Sequence, residues 1–239
     1  MTQFKEDIYN DFASQYERLV IAREQSGVER DPIMPQFLKL IGDPSGLTIL
    51  DACCGEGYLS RILAHDDNHI TGIDIAPRLI EIARTKDPES KISYQVADLS
   101  QLIETYQQHF DLIVSHLALN DVYGYQGLFT TLASFIRPGG RFVLSMNNPY
   151  SYLVRGSVTN YFDSGQAFLY GGMAQEGVKV HFYQRTLQEY LDAAFAAGLQ
   201  LQRLIDLPMY EGMFKRRATT WLPEGHHFPF FMLLSFVKP

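Results

Sequence analysis

The 239-residue chain has only two cysteines, Cys53 and Cys54, and they are neighbours. Adjacent cysteines cannot staple distant parts of a fold, so the sequence reads as one suited to a reducing compartment. Two cysteines with no further ligand cluster make no zinc signature, and no metal is expected; the tandem His226-His227 lacks a placed third ligand. No apolar run approaches the ~18 residues needed to span a bilayer. The opening MTQFKEDIYNDF carries acidic residues early and has no apolar stretch of the signal type, so a cytoplasmic protein without a membrane span is expected. Positive charge is also scarce. The balance of 20 Lys and Arg against 27 Asp and Glu argues against binding to nucleic acid. Lys215-Arg216-Arg217 is the one obvious basic cluster, and it reads as a solvated loop. Internal repeats and low-complexity segments are absent.

What is present is enough apolar content, 46% of residues, to build a full core. Ile8, Phe12, Tyr16 and Leu19 recur at helical spacing within residues 5–24, and a second helix is predicted at 33–41. Strands and helices then alternate: strand 47–51, helix 57–65, strand 69–74, helix 77–86, strand 92–96, helix 100–106, strand 111–116, helix 125–136, strand 141–146. That rhythm predicts βαβ units and a doubly wound α/β fold with a mostly parallel sheet. It breaks at Asn147-Asn148-Pro149. Residues 148–180 have no helical period and read as an insertion or lid. Val178 to Gln184 alternates like an edge strand. A helix at 187–197, a strand at 199–206 and a last apolar strand at 230–237 follow.

The most informative stretch is Ile49-Leu50-Asp51-Ala52-Cys53-Cys54-Gly55-Glu56-Gly57-Tyr58-Leu59. A buried strand that passes through glycines straight into a helix brings backbone N–H groups to a ligand. Asp51, Asp74 and Asp98 fall at the ends of three successive predicted strands, where ligands of open α/β sheets bind. A carboxylate at 74 can accept both ribose hydroxyls of a nucleoside, and one at 98 an exocyclic adenine amino group. Two cofactors compete. Gly55-Glu56-Gly57-Tyr58-Leu59-Ser60 comes close to the G-x-G-x-x-G/A of nicotinamide dinucleotide sites, with Asp74 at a suitable distance. Yet Ser60 stands at the third glycine position, and Asp51 precedes the loop where a pyrophosphate would be repelled. S-adenosylmethionine has no phosphate and brings a sulfonium and an ammonium, which suit an acidic loop.

Leu50-Asp51-Ala52-Cys53-Cys54-Gly55-Glu56-Gly57 resembles the first motif of the class I S-adenosylmethionine-dependent methyltransferases. Ile73-Asp74-Ile75-Ala76 with Leu79-Ile80 resembles their ribose-binding motif, and Ala97-Asp98-Leu99 their adenine-binding segment. Phe110 to Ser115 is similar to the strand leading to their active site, and Ile136-Arg137-Pro138-Gly139-Gly140 to a turn of the same fold. Tyr183-Gln184-Arg185-Thr186 with Ala196-Ala197-Gly198-Leu199 is similar to the small-molecule, ubiquinone-biosynthesis-like group. The resemblance implies a Rossmann-like, seven-stranded sheet with an antiparallel C-terminal strand. It divides the chain into a helical cap (1–46), an S-adenosylmethionine-binding core (47–147), an insertion over the acceptor pocket (148–180) and a completion of the core sheet (181–239). Asp51 and backbone groups from Cys53 and Cys54 through Gly55 to Gly57 would hold the methionine part. Asp74 would bind the ribose, with Ile75 against the adenine, and Ala97, Asp98 and Leu99 would meet the base. Ser115 and Tyr16 complete the expected cofactor set. The family's usual first loop glycine is replaced by Cys53, whose side chain should crowd the backbone there.

On the acceptor side, His116 at a strand end is the best-placed base, with His181 a second candidate. Tyr9, Asn147, Tyr161 and Tyr170 are expected, with His116, to line the acceptor site; Tyr150, Tyr152, Phe162 and Phe168 crowd the same insertion. The expected activity is in-line methyl transfer to an O, N or C atom of a small molecule by a monomer or homodimer. Three alternatives stand beside it: a non-catalytic methyltransferase-like binding module, an RNA or protein methyltransferase, and an NAD-dependent oxidoreductase.

Overall fold

The computed structural model describes residues 9, 13, 14, 17, 18, 21, 25, 27, 28, 31–65, 67–101, 106–154, 156–165, 167–170, 180–208 and 228–239, with backbone alone at 167–170, 180 and 181. Phe12, Tyr16, Lys215-Arg216-Arg217 and His226-His227 lie outside the described residues.

In chain order the described strands are β1 (Thr48–Ala52), β2 (His69–Asp74), β3 (Ile92–Val96), β4 (Phe110–His116), β5 (Ile136–Asn147), β6 (Ala167–Tyr170), β7 (Val180–Tyr183), β8 (Gln200–Pro208) and β9 (Pro229–Val237). Helices are α1 (Met34–Ile41), α2 (Tyr58–Leu63), α3 (Pro77–Thr85), α4 (Tyr125–Phe135), α5 (Pro149–Val154) and α6 (Leu187–Ala196). Seven strands form one sheet in the order β3-β2-β1-β4-β5-β9-β8. β1 to β5 run parallel, and β9 is antiparallel to both β5 and β8. This is the doubly wound, mostly parallel sheet with an antiparallel C-terminal strand that the sequence predicts.

Strand alternation supplies both layers of core. Ile49, Leu112, Val114 and Val143 face α1, α2 and α3, packing with Phe37, Leu59, Leu63 and Ile80. Their neighbours Leu50, Ile113 and Leu144 face α4 and α6, packing with Phe129, Leu132, Phe135 and Tyr190. α2 is six residues long and has no side-chain N-cap, so it is marginal alone. Burial of Leu59 and Leu63, at roughly 1.5–3 kcal/mol each, outweighs that deficit.

Three segments differ from expectation. The predicted turn at 136–140 is already strand, because Ile136 pairs with Phe110 and a register shift before Leu112 absorbs Pro138-Gly139-Gly140. The insertion carries regular structure: α5 and β6, the latter paired antiparallel with β7 in a separate two-stranded ribbon. The expected edge strand at 178–184 therefore pairs with the insertion and not with the main sheet. Of the predicted helix 100–106, residues 102–105 lie outside the described set, and Ser100 and Gln101 are turn and bend.

Two glycines in this region are dictated by contacts, and sequence periodicity does not flag them. A Cβ on Gly124 would come within 2.9 Å of the Ser100 side chain, and one on Gly127 would overlap the Ser100 carbonyl. The segment after β3 is thereby held against the first turn of α4. Helix propensity alone would make Gly127→Ala stabilising by about 1 kcal/mol. The backbone overlap predicts the reverse, a loss of about 1–3 kcal/mol, read as a lower urea midpoint with unchanged slope.

Candidate functional site

β1 lies between β2 and β4, so the strand order reverses beside it and a crevice opens at the carboxyl ends. The chain leaves β1 through a loop held by β2. The Cys54 N–H donates to the Ile73 carbonyl at 3.1 Å, and the Gly57 N–H to the Cys54 carbonyl at 3.0 Å. Cys53 sits at φ 60°, in the left-handed region that favours glycine. The irregular residue of the sequence thus keeps the backbone shape that a glycine would adopt freely. Gly57, at φ 80°, opens α2, and a Cβ there would run into the Tyr94 hydroxyl. Tyr94 also fills the space over Gly72 and supports the loop from below.

Asp74 ties this loop to the next one. Its Oδ2 accepts from the Gly55 N–H at 2.8 Å and its Oδ1 from the Ala76 N–H at 2.9 Å. Burial raises its pKa, and the N–H donors of Ala76 and Gly55 offset part of that rise. Asp51 is buried beneath α2 and accepts from the Ser60 hydroxyl at 2.6 Å. The serine at the third glycine position is therefore a partner of Asp51. Burial pushes Asp51 up to about 7; Ser60 opposes this, and the nearby charges of Asp74 and Glu56 add to it. Glu56 points away from the crevice, buried against Arg61 at 3.0 Å and Lys86 at 2.7 Å.

The other expected cofactor residues divide. Asp98 shapes its own turn, accepting from the Ser100 N–H at 2.9 Å and the Ser100 hydroxyl at 2.6 Å. Leu99 is buried in the core on the α4 side, with Ala97 packed against it, while Ile75 is half-buried. Ser115 is buried at the end of β4.

Acceptor-side residues are more scattered. His116 Nδ1 lies 2.7 Å from Ser145 Oγ, and its ring stacks on the buried Phe37 at 5.6 Å. Asn147 and Asn120 clasp each other: the Asn147 N–H donates to Asn120 Oδ1 at 2.9 Å, and Asn120 Nδ2 to the Asn147 carbonyl at 3.3 Å. Tyr9 packs on the cluster of Ala13, Ala76 and Leu79 beyond β2, and its hydroxyl donates to Asp121 Oδ2 beyond β4. The helical segment carrying it therefore links the two sides of the crevice. Tyr161 accepts from the Leu187 N–H at 2.7 Å and stacks on Tyr150 at 4.7 Å, tying the insertion to α6. Along the ribbon backbone, Tyr170 pairs with Val180 and His181 with Leu169. Among the described residues, no group of three or more His, Cys, Asp and Glu could hold a metal ion. No helix among them is long and apolar enough to cross a membrane. Asp121, Arg185, Tyr94 and Asn120 were not singled out from sequence; the only signal was Arg185 within a motif resembling the C-terminal part of the family.

The loop has a definite electrostatic character. Burial raises the Cys53 thiol well above its ordinary value, and the negative charges of Asp74, Asp51, Asp121 and Asp98 raise it further. A pyrophosphate would meet repulsion here, whereas a sulfonium and an ammonium would meet attraction. The donor set suits S-adenosylmethionine, with acidic side chains at or just after the ends of β1, β2 and β3 and backbone N–H groups in the loop between β1 and α2.

Asp51 makes this testable through pH. From about pH 4 to 7 the folded chain keeps a proton on Asp51 that an unfolded carboxyl, near 3.8, has released. This group therefore lowers stability progressively as pH rises through that window and adds no further slope above it. Relative to Asp51→Asn, the wild-type urea midpoint should fall between about pH 5 and 7.5. Binding of the cationic cofactor favours the ionised form, so wild-type affinity should rise from about pH 6 to 8 by calorimetry, and Asp51→Asn should flatten that rise.

The family model described as a methyltransferase domain matches residues 43–192. A ubiquinone biosynthesis O-methyltransferase from Hydrogenovibrio crunogenus is 31% identical over 128 residues, covering 52% of this chain and 53% of that protein. A demethylmenaquinone methyltransferase from Lactococcus lactis is 24% identical over 196 residues, covering 79% of this chain and 76% of that protein. The chain thus spans about half the length of the ubiquinone-type relatives it matches. A solved S-adenosylmethionine-dependent methyltransferase from Mesorhizobium loti shares the fold at a TM-score of 0.69 and 24% identity, covering 89% of this chain and 100% of that one. With the family model spanning more than half of its length, this chain belongs to the methyltransferase-domain family of S-adenosylmethionine-dependent enzymes.

Proposed function

We propose that this protein transfers a methyl group from S-adenosylmethionine to a small, quinone-related acceptor. The observation that carries the proposal is the Asp74 carboxylate, bonded to the Gly55 and Ala76 N–H groups at the strand-order switch, beside a loop of negative potential. Bound there, S-adenosylmethionine supplies an electrophilic methyl group on a sulfonium. The chain's part is to fix the donor and align an acceptor, because positioning supplies much of the acceleration in such a displacement. Cys53 to Gly57 present a loop held from behind by Tyr94 and from the side by Asp74. Tyr9 and Asn147 wall the space beyond β4 and β5. The quinone-related class is supported by the relatives named above, a ubiquinone biosynthesis O-methyltransferase and a demethylmenaquinone methyltransferase.

His116 is assigned a supporting role in this scheme. Its bond to Ser145 and its stack on Phe37 hold the end of β4, where Leu117 turns at φ 55° and its N–H donates to Ser145 Oγ at 3.2 Å. His116→Ala should lower stability by about 1–2 kcal/mol in urea titrations, as loss of a hydrogen bond and packing predicts. Affinity for the demethylated cofactor should stay within about twofold.

The central test is calorimetry of the purified chain with S-adenosylmethionine and S-adenosylhomocysteine. Asp74→Ala should weaken both by roughly tenfold or more, the scale of a lost charged hydrogen bond. NADH should give no heat. Absence of binding by the wild-type chain to either sulfur compound would overturn the proposal.

A further inference from the structure

Between Gly55 and Gly57 the donor loop carries a single side chain, that of Glu56. Neither glycine offers a handle, so side-chain contacts can hold this stretch only through Glu56. The residue is 1% exposed. Two cations converge on its Oε2: Arg61 Nη2 of α2 at 3.0 Å, and Nζ of Lys86, the C-cap of α3, at 2.7 Å. Arg61 also donates through Nη1 to the Glu56 carbonyl at 2.6 Å. One guanidinium therefore grips both the backbone and the side chain of this residue. Glu56 Oε1 is buried without a hydrogen-bond partner.

As a stabilising device this arrangement is poor. Burying a carboxylate costs solvation, and an oxygen left without a donor recovers none of it. Arg61 and Lys86 are partly exposed, so water can solvate them without Glu56. What the arrangement supplies is a second anchor. Asp74 already ties Gly55 to Ala76, the N-cap of α3, and Glu56 ties the same loop to Lys86 at the other end. α3 has nine residues, roughly 13 Å of rigid helix. One anchor leaves a loop free to swing about it; anchors at both ends of a strut fix its orientation as well. The far end of the strut is itself held. Arg84 Nη2 donates to the Tyr94 carbonyl of β3 at 2.6 Å, and the Tyr94 ring underlies Gly57.

We propose that Glu56 is a positioning residue for the methyl donor. Clamped by Arg61 and Lys86, it acts through the loop backbone and holds the N–H groups of that loop in the alignment S-adenosylmethionine requires. Binding groups lose their hold on a ligand when they stray by about 0.5 Å, so a loop of glycines needs such a clamp. The inference rests on the donor half of the proposed function and is independent of the acceptor.

The experiment uses the full chain and separates affinity from stability. Glu56→Gln keeps the side-chain shape and removes its charge; Lys86→Met removes the far anchor from outside the loop. By calorimetry, S-adenosylhomocysteine should bind roughly tenfold more weakly to Glu56→Gln and roughly fivefold more weakly to Lys86→Met. The urea midpoint should change little in either. Lys86→Arg, which keeps a cation within reach of Glu56, should restore affinity to within about twofold of wild type. The double variant should bind no more weakly than Glu56→Gln alone, because the pair acts through one contact. In the apo chain, amide exchange at residues 53–57 should quicken in both single variants while β1 and β4 exchange as in wild type. Wild-type affinity in folded Glu56→Gln and Lys86→Met overturns the clamp, whatever the midpoint does. Additive losses in the double variant overturn it as well, as does faster exchange throughout the sheet with none confined to the loop. A wild-type chain that binds no S-adenosylhomocysteine overturns the donor reading and this role with it, an outcome distinct from unchanged affinity in the variants, which removes the clamp alone.

Discussion

The interaction on which the site depends is the bond of one buried carboxylate to two loops. Asp74 takes the Gly55 N–H on one oxygen and the Ala76 N–H on the other. These donors belong to the turn after β1 and to the start of α3, two segments joined by no covalent shortcut. Without the carboxylate, two N–H groups at the crevice would lose their partner, at a cost of about 1–3 kcal/mol each. The donors also offset part of the cost of burying this charge.

A consequence of stacking carboxylates at adjacent strand ends is a field of one sign. Asp51, Asp74, Asp98 and Asp121 converge on the Cys53 loop because β1, β2, β3 and β4 are neighbours and parallel. Burial leaves Asp51 poised near neutrality, so the apo chain can relieve the repulsion by holding a proton there. A cationic ligand relieves it differently, by favouring the ionised form. The charge pattern, more than the glycine spacing, distinguishes this loop from a pyrophosphate cradle.

Much of the architecture was legible along the chain. Ile49 and Leu50, or Val143 and Leu144, face opposite layers, and that alternation within apolar runs marked the buried strands. Asp51 and Asp74 were readable because strand ends are local features and the crevice forms at strand ends. Cys53 stood out as a departure from glycine, and the left-handed φ shows the backbone demand behind it. Other features had no local mark. Ser60 looked like a missing third glycine, but its hydroxyl serves Asp51 from the next helical turn. Gly124 and Gly127 carry no sequence signal of their role, which is to let Ser100 approach. The insertion lacked a period because β6 and β7 pair with each other as a short ribbon outside the main sheet.

Taken alone, the sequence determined the doubly wound fold and the family, because periodicity and strand-end chemistry are encoded within a few residues of one another. The tertiary structure decided which distant polar groups meet. Tyr9 and Asp121 are 112 residues apart, and Arg185 and Tyr123 are 62 apart. A pattern of apolar positions reports which side chains leave water. It carries no record of which distant polar groups are left facing one another once they have done so. That depends on chain crossings, on the insertion seating β7 against the turn after β4, and on the N-terminal segment reaching across the crevice to Asp121.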